Sequence, residues 1–317
     1  MRVSKKSLSN IATICSAITF SIFILILFTV TVSNDVGQYD LIFFAIKNSG
    51  SLRDAIFSLR YEPGFTAIYY SLSLLFSDSR AAFIALGSLS IALKYLILKN
   101  NLRFIFLSWF SYVVIFLPSL EASQIRTAIA STIILYSICL PKEKYNYIYN
   151  GIAASLMHLV GVLIFAFQLI RKPLVAVLMI SVAAVIFNFF FQLLQQYIPV
   201  LYYYRSNQFG MSINLLSTTY LAQSLIAVCC VLNWNLLDFK QKKGAFLIIV
   251  GTILFFLLSD FPSIVHRVRE ISMLGVFPLL FSQKLRVTLP SVIIYLSFLY
   301  YLLYHLFFLL DEIIKYI

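Results

Sequence analysis

The sequence predicts an all-α, polytopic integral membrane protein with no separate soluble domain. Of its 317 residues, 61% are hydrophobic and 11% are charged, whereas soluble domains are about half apolar and a quarter charged. The apolar residues form long runs between short charged connections, and no repeat or Pro-rich or Gly/Ser-rich linker divides the chain. At roughly 20 residues per crossing, the chain holds about nine to eleven transmembrane or re-entrant helices.

The apolar runs follow one another from end to end of the chain. They are 11–32, 64–77, 81–98, 104–120, 127–140, 147–170, 173–191, 214–237, 244–259, 271–282 and 287–310. The first follows Arg2, Lys5 and Lys6, but it is long enough to span and lacks a small-residue cleavage site, so we expect a retained helix. Two polar stretches, 33–63 and 192–213, are predicted to be outer loops.

The net charge of +12 indicates membrane orientation rather than binding of nucleic acid, because the basic residues lie in the connections. If every segment crosses, the 24 Lys and Arg divide 12 and 12. If 64–77 dips in from outside and returns, and 145–170 dips in from the cytoplasm and turns near His158, they divide 15 inside and 9 outside, with Lys94 inside. Arms of about thirteen residues reach only about 20 Å, which places His158 deep in the membrane beside a polar cavity.

The sequence offers no pattern for a metal or a bound cofactor. The four cysteines lie inside apolar runs and are expected to be small lipid-facing or core-facing side chains. No His/Cys/acid spacing suggests zinc, and no Gly-rich loop or Asp-x-Asp pair suggests a nucleotide sugar. We therefore expect neither a metal nor a cofactor.

Ionisable residues at the rims of apolar segments are costly and are candidate functional groups. Gln124 and Arg126 stand between two apolar runs, where Arg126 could hold a phosphate or a sugar carboxylate through a two-pronged contact. The alternative is that Arg126 caps a helix or pairs with Glu121. Arg267 and Arg269 follow the break at Asp260.

Two residues apart on a helix, Arg267 and Arg269 diverge, so one of them is expected to face a ligand. The alternative for either is an ion pair with Glu270 or Asp260. The sequence leaves the two arginines equivalent.

Three acidic or histidine side chains are candidate proton acceptors. Asp35, with Tyr39 after it, follows the first apolar run, and Glu62 opens the second. A carboxylate at the mouth of an apolar cavity can act as a base, but carboxylates at helix starts are also common caps. His158 stands in the middle of an apolar run, where it is either structural or part of a polar site.

Five elements succeed one another along the chain. They are Asp35 with Tyr39, Glu62-Pro63-Gly64-Phe65, Gln124-Ile125-Arg126-Thr127-Ala128-Ile129-Ala130, Ser155-Leu156-Met157-His158, and a late Arg before Phe277-Pro278. This order resembles the EpsG-like branch of the Wzy-type polysaccharide polymerases over most of the chain. The chain departs from the family pattern in having one helix before the Asp-Tyr element, where two are common. Either Arg267 or Arg269 could match the late Arg.

The resemblance implies a bacterial inner-membrane enzyme that joins oligosaccharide repeats carried on undecaprenyl pyrophosphate into O-antigen, capsule or exopolysaccharide. Arg126 and Arg267 would then stabilise the departing pyrophosphate, and Glu62, Asp35 or His158 would accept the proton of the attacking hydroxyl. Partners would be lipid-linked glycans and membrane lipids, with a chain-length regulator left open. The alternatives are another lipid-dependent glycosyltransferase, an O-antigen ligase, and a flippase or transporter.

Overall fold

The computed structural model describes residues 14–26, 35–58, 61–140, 147–170, 172–195, 213–283 and 285–314. Within these ranges every regular element is a helix. The helices are α1 (Ile14–Ile26), α2 (Asp35–Lys47), α3 (Leu52–Ser58), α4 (Pro63–Leu75), α5 (Ser79–Asn101), α6 (Ile105–Ile115), α7 (Ile125–Cys139), α8 (Tyr147–Met157), α9 (Pro173–Gln195), α10 (Thr218–Leu232), α11 (Phe239–Leu257), α12 (Pro262–Met273), α13 (Val276–Phe281) and α14 (Leu289–Ile314). The all-α prediction is confirmed.

Among the described residues, three helices are long and apolar enough to cross a membrane unaided: Ser79–Asn101, Pro173–Phe191 and Leu289–Glu312. Other apolar helices, such as α6 and α7, have 11 and 15 residues. At 1.5 Å per residue these reach about 17 and 22 Å, less than the roughly 30 Å of hydrocarbon. Several predicted crossings are therefore short helices that end inside the protein, and membrane insertion itself stays a prediction.

Several connections meet at one end of the molecule, which we call the basic end. Arg103 donates its backbone N–H to the Phe281 carbonyl at 2.8 Å, and Lys240 Nζ donates to the Asn101 carbonyl at 3.4 Å. Lys243 Nζ donates to the Leu140 carbonyl at 2.7 Å, at the carboxyl end of α7. The structure thus gathers basic connections that the charge count assigns to the cytoplasm.

The chain reverses at His158, as predicted for segment 145–170. α8 ends at Met157, and a 3-10 segment, Leu159–Leu169, runs back beside it. The two arms touch: a Cβ on Gly161 would lie 2.3 Å from the Ala154 carbonyl carbon, and the Tyr147 and Phe167 rings have centroids 5.9 Å apart. Glycine is required at position 161 because any side chain there would collide with the backbone of α8.

The prediction that 64–77 dips in and returns is wrong for this segment. α4 runs without interruption from Pro63 to Leu75. Pro63 and Gly64 both stand in the first turn of the helix, where Pro is tolerated, and no Pro or Gly follows inside it. Its 13 residues reach about 20 Å, so α4 is a short helix and not a hairpin.

The two predicted outer loops differ in how far they are described. The stretch 33–63 contains α2 and α3, and α2 packs into the core through buried Ile42, Phe43 and Ile46. Most of 192–213 lies outside the described residues. Neither stretch tests the predicted sidedness.

Lys94 does not lie in a connection, although the charge count placed it among cytoplasmic residues. Its side chain is fully buried and forms an ion pair with Glu121. Without Lys94 the count becomes 15 − 1 = 14 inside against 9 outside. That count also assumes a re-entrant segment 64–77, which the uninterrupted α4 contradicts, so the orientation stays a prediction.

We expect cysteines placed in the connections 141–146 and 171–173 to react with a membrane-impermeant thiol reagent from the same side. The reversal at His158 brings both arms back to one end. The parent should carry Cys15→Ser, because Cys15 is exposed whereas Cys139, Cys229 and Cys230 are buried. A cysteine within 192–213 serves as the opposite-side control, and labelling of the two connections from opposite faces would contradict the re-entrant hairpin.

Candidate active site

The site is centred on an ion pair between two short helices. Arg126 is the second residue of α7, and its Nη1 lies 2.7 Å from Oε2 of Glu62, which immediately precedes α4. Both side chains are about one-fifth exposed, at 19% and 20%. The alternative pairing of Arg126 with Glu121 is wrong, because the partner of Glu121 is the buried Lys94.

Aromatic rings surround the guanidinium of Arg126. It lies 5.3 Å from the Tyr61 ring centroid and 5.9 Å from that of Phe65, within the range of cation–π attraction. The buried Tyr39 packs against Phe65, with centroids 6.2 Å apart, and its hydroxyl interacts with Arg126. Tyr39 is thus brought to the predicted site, and Asp35 begins the same helix, α2.

Each residue of the tetrapeptide Glu62-Pro63-Gly64-Phe65 has a different structural role. Glu62 makes no side-chain capping bond to α4, so its carboxylate is directed to Arg126 instead. Pro63 starts the helix. A Cβ on Gly64 would lie 2.8 Å from the Leu156 carbonyl oxygen, so glycine lets the start of α4 touch the end of α8, next to His158. Phe65 flanks the guanidinium.

His158 meets a second arginine at the tip of the hairpin. Nη1 of Arg267 lies 2.8 Å from Nε2 of His158, while Nδ1 of the same ring accepts the Val160 backbone N–H at 3.2 Å. A neutral imidazole has one acceptor nitrogen. The two donors therefore compete for a single lone pair, and an added anion would give Arg267 an acceptor of its own.

The two arginines of α12 diverge as the sequence predicted. Arg267 faces His158, whereas Nη1 of Arg269 lies 3.4 Å from Thr219 Oγ1 and its guanidinium lies 5.9 Å from the Phe255 ring. Arg267 therefore lies at the tip of the His158 hairpin, which contacts the start of α4 through Leu156 and Gly64, next to Glu62 and its partner Arg126. Arg269 belongs to the packing of α10 and α11.

Gln124 connects the start of α7 to α12. Its Nε2 lies 3.5 Å from Oε2 of Glu270, at the limit of a hydrogen bond. The structure thus joins α4, α7, the His158 hairpin and α12 around one polar group, which we call the cationic cluster: Arg126, His158 and Arg267 with the carboxylate of Glu62.

Sequence reasoning did not assign to the site the side chains that border this cluster, although it named Phe65 within the Glu-Pro-Gly-Phe tetrapeptide and Glu270 as an alternative ion-pair partner. Tyr61 and Phe65 flank Arg126, and Glu270 contacts Gln124. Their positions beside Glu62 and Arg269 in the sequence were the available signal. Among the described residues, no group of three or more His, Cys, Asp or Glu side chains could hold a metal ion.

The chain matches a known protein family over nearly its whole length. The model of the EpsG family matches residues 12–317, nearly the whole chain. The chain belongs to the EpsG family. EpsG is a family of Wzy-like polymerases, so the predicted resemblance is confirmed. No curated protein and no solved structure matches this EpsG-family chain.

Proposed function

We propose that this EpsG-family protein joins oligosaccharide repeats carried on undecaprenyl pyrophosphate into a bacterial surface polysaccharide, such as O-antigen or capsule. A polysaccharide polymerase is the activity that the family suggests. The observation that supports the finer proposal is the cationic cluster itself. Two arginines and a histidine converge beside a carboxylate in a partly buried site, which suits an anionic leaving group and the removal of a proton.

In the proposed reaction, a sugar hydroxyl of one lipid-linked glycan attacks the anomeric carbon of another. The bond from that carbon to the pyrophosphate oxygen breaks, and negative charge develops on the lipid pyrophosphate. Arg126 and Arg267 stabilise this charge, because preorganised cations in a water-poor site are worth far more than in bulk water. Arginine also matches phosphate oxygens with two parallel donors.

We assign His158 the role of hydrogen-bond donor. When Nδ1 accepts the Val160 N–H, the neutral ring carries its proton on Nε2. This N–H and that of Arg267, whose Nη1 lies 2.8 Å away, are then both donors that lack an acceptor until an anion arrives. An entering phosphate oxygen could accept from both groups. This role differs from that of a base, for which Nε2 would need a free lone pair.

Glu62 is the proton acceptor that we favour, with Asp35 as a second candidate. Its carboxylate accepts a hydrogen bond from Nη1 of Arg126 at 2.7 Å. A pyrophosphate competes with Glu62 for Arg126. Its arrival would leave the carboxylate free to take the hydroxyl proton, which couples substrate binding to activation of the base.

The depth of the cluster suits a lipid-linked substrate. Arg126 and Leu140 lie at opposite ends of α7, a helix of 15 residues, so they are separated by about 21 Å along its axis. With the basic end at the cytoplasmic surface, the cluster would lie below the outer surface of a hydrocarbon layer roughly 30 Å thick. We propose that the isoprenoid chain stays in the bilayer while its pyrophosphate enters from the outer leaflet.

The test is the length of surface glycan in a strain that lacks the gene, displayed as a gel ladder. We expect the deletion to leave only single-repeat products and the wild-type gene to restore the ladder. An intact ladder in the deletion strain would refute polymerisation. Loss of even the single-repeat product would favour a flippase or an earlier transferase.

A further inference from the structure

A second charged pair lies deep in the protein, and the proposed chemistry gives it no role. Lys94 of α5 and Glu121 form an ion pair in which both side chains have 0% exposure. The Lys94 ammonium also lies 5.4 Å from the Tyr112 ring centroid. Burying two charges is expensive, and a well-packed apolar pair of similar volume is often as stable. The pair therefore calls for an explanation other than stability.

Glu121 is the one charged residue of the non-helical stretch 116–124, which separates α6 from α7. This stretch is buried at Leu117 and Leu120. Irregular backbone at membrane depth is tolerated only where the protein satisfies its polar groups. Local bonds do so in part, including Gln124 N–H to the Leu120 carbonyl at 2.8 Å.

α5 contacts both this stretch and the middle of α7. The Ser90 hydroxyl lies 3.1 Å from Oε1 of Glu121, the oxygen that Lys94 binds, and 3.0 Å from Oγ1 of Thr132 in α7. Glu121 precedes Arg126 by only five residues. The anchor on α5 is thus close in the chain to Arg126, the second residue of α7.

We propose that the Lys94–Glu121 pair is a positioning element that holds Arg126 in the cationic cluster. This inference rests on the proposed function, in which Arg126 stabilises the leaving group. Arg126 is then constrained at two points: Glu62 holds its guanidinium, and the buried pair holds the backbone that leads into it. Without the pair, stretch 116–124 loses its charged anchor, and the backbone of Arg126 is no longer held in one position.

The test compares two buried lysines at opposite ends of α7. The double variant Lys94→Met/Glu121→Met replaces the pair by apolar side chains and leaves no unpaired charge. The matched control is Lys243→Met. Lys243 is also fully buried, but it donates to the Leu140 and Ser137 carbonyls at the far end of α7, at 2.7 and 3.3 Å.

Purified protein in lipid nanodiscs is assayed for polymerisation of lipid-linked repeats and for hydrogen exchange of backbone amides. In the double variant we expect kcat to fall by about a hundredfold, the size of effect that a displacement of about 1 Å produces, with KM little changed. We also expect faster exchange over 116–126. Lys243→Met should keep the wild-type rate and change exchange only near 137–140.

A double variant with the wild-type rate and unchanged exchange over 116–126 would overturn the proposal. If the double variant does not fold, Lys94→Met/Glu121→Gln, which preserves the side-chain shape at position 121 and also leaves no unpaired charge, replaces it with the same readouts and the same criterion. If the wild-type protein builds no polymer, the proposed function has failed instead. The exchange measurement needs no turnover and still decides whether the pair orders the segment that carries Arg126.

Discussion

Replacing Arg126 by lysine is expected to reduce polymerisation by about a hundredfold to a thousandfold while the protein accumulates to its normal level. Lysine keeps the positive charge and can still pair with Glu62, so the folded state loses little. It cannot offer two parallel donors to a phosphate or lie flat against the aromatic rings, which in this site belong to Tyr61 and Phe65. The measurement is ladder length at matched protein level, followed by initial rates in nanodiscs.

The matched control for this change is Arg103→Lys. Arg103 is also an arginine over an aromatic ring, with its guanidinium 5.5 Å from the Phe104 centroid, but it lies at the basic end, away from the cluster. We expect its ladder to equal that of wild type. A full ladder from Arg126→Lys would show that charge alone suffices at position 126 and would remove the two-pronged contact from the proposal.

The second large effect is expected from Arg267→Gln, again about a hundredfold or more in rate. Glutamine keeps a polar group near His158, whose Nε2 lies 2.8 Å from Nη1 of Arg267, but it has no positive charge for the developing phosphate charge. The effect should fall on kcat, since the interaction is strongest when the leaving group separates.

Arg269→Gln separates this effect from a general loss of charge in α12. Arg269 is two residues away, but it faces Thr219 and Phe255. We expect a much smaller loss of rate, together with a lower melting temperature from weakened packing between α10, α11 and α12. If Arg269→Gln abolished polymerisation and Arg267→Gln did not, the cationic cluster would be assigned to the wrong face of α12.

The residues of the cluster could be found from the sequence because charges are rare in this chain. Glu62, Arg126 and His158 stand out against apolar runs, and any ionisable group there is costly. Their order along the chain also carried the resemblance to the family. For Lys94 the sequence predicted only a position on the cytoplasmic side. Hydropathy does not reveal that a lysine within an apolar helix has a buried ion-pair partner.

The sequence could not predict which charged residues form ion pairs, because pairing depends on contacts between distant segments. Glu121 is close to Arg126 in the chain, yet the partner of Arg126 is Glu62. Glu62 precedes α4, whose start contacts the end of α8 at Gly64. The choice between Arg267 and Arg269 was likewise undecided, since helical spacing shows that they diverge but not which side faces His158.

Composition and hydropathy determined that this protein is helical and suited to a bilayer, because so few charged side chains cannot keep such an apolar chain soluble in water. The spacing of its rare charges determined which residues are candidates for chemistry. Only the tertiary structure decided that short helices end within the protein, that α4 is uninterrupted, and which cation meets which carboxylate. The physical reason is that the backbone hydrogen bonds of a helix join residues close together in the chain, so helices can be predicted from the sequence. How closely two helix ends approach depends on packing between distant segments, above all at Gly64 and Gly161.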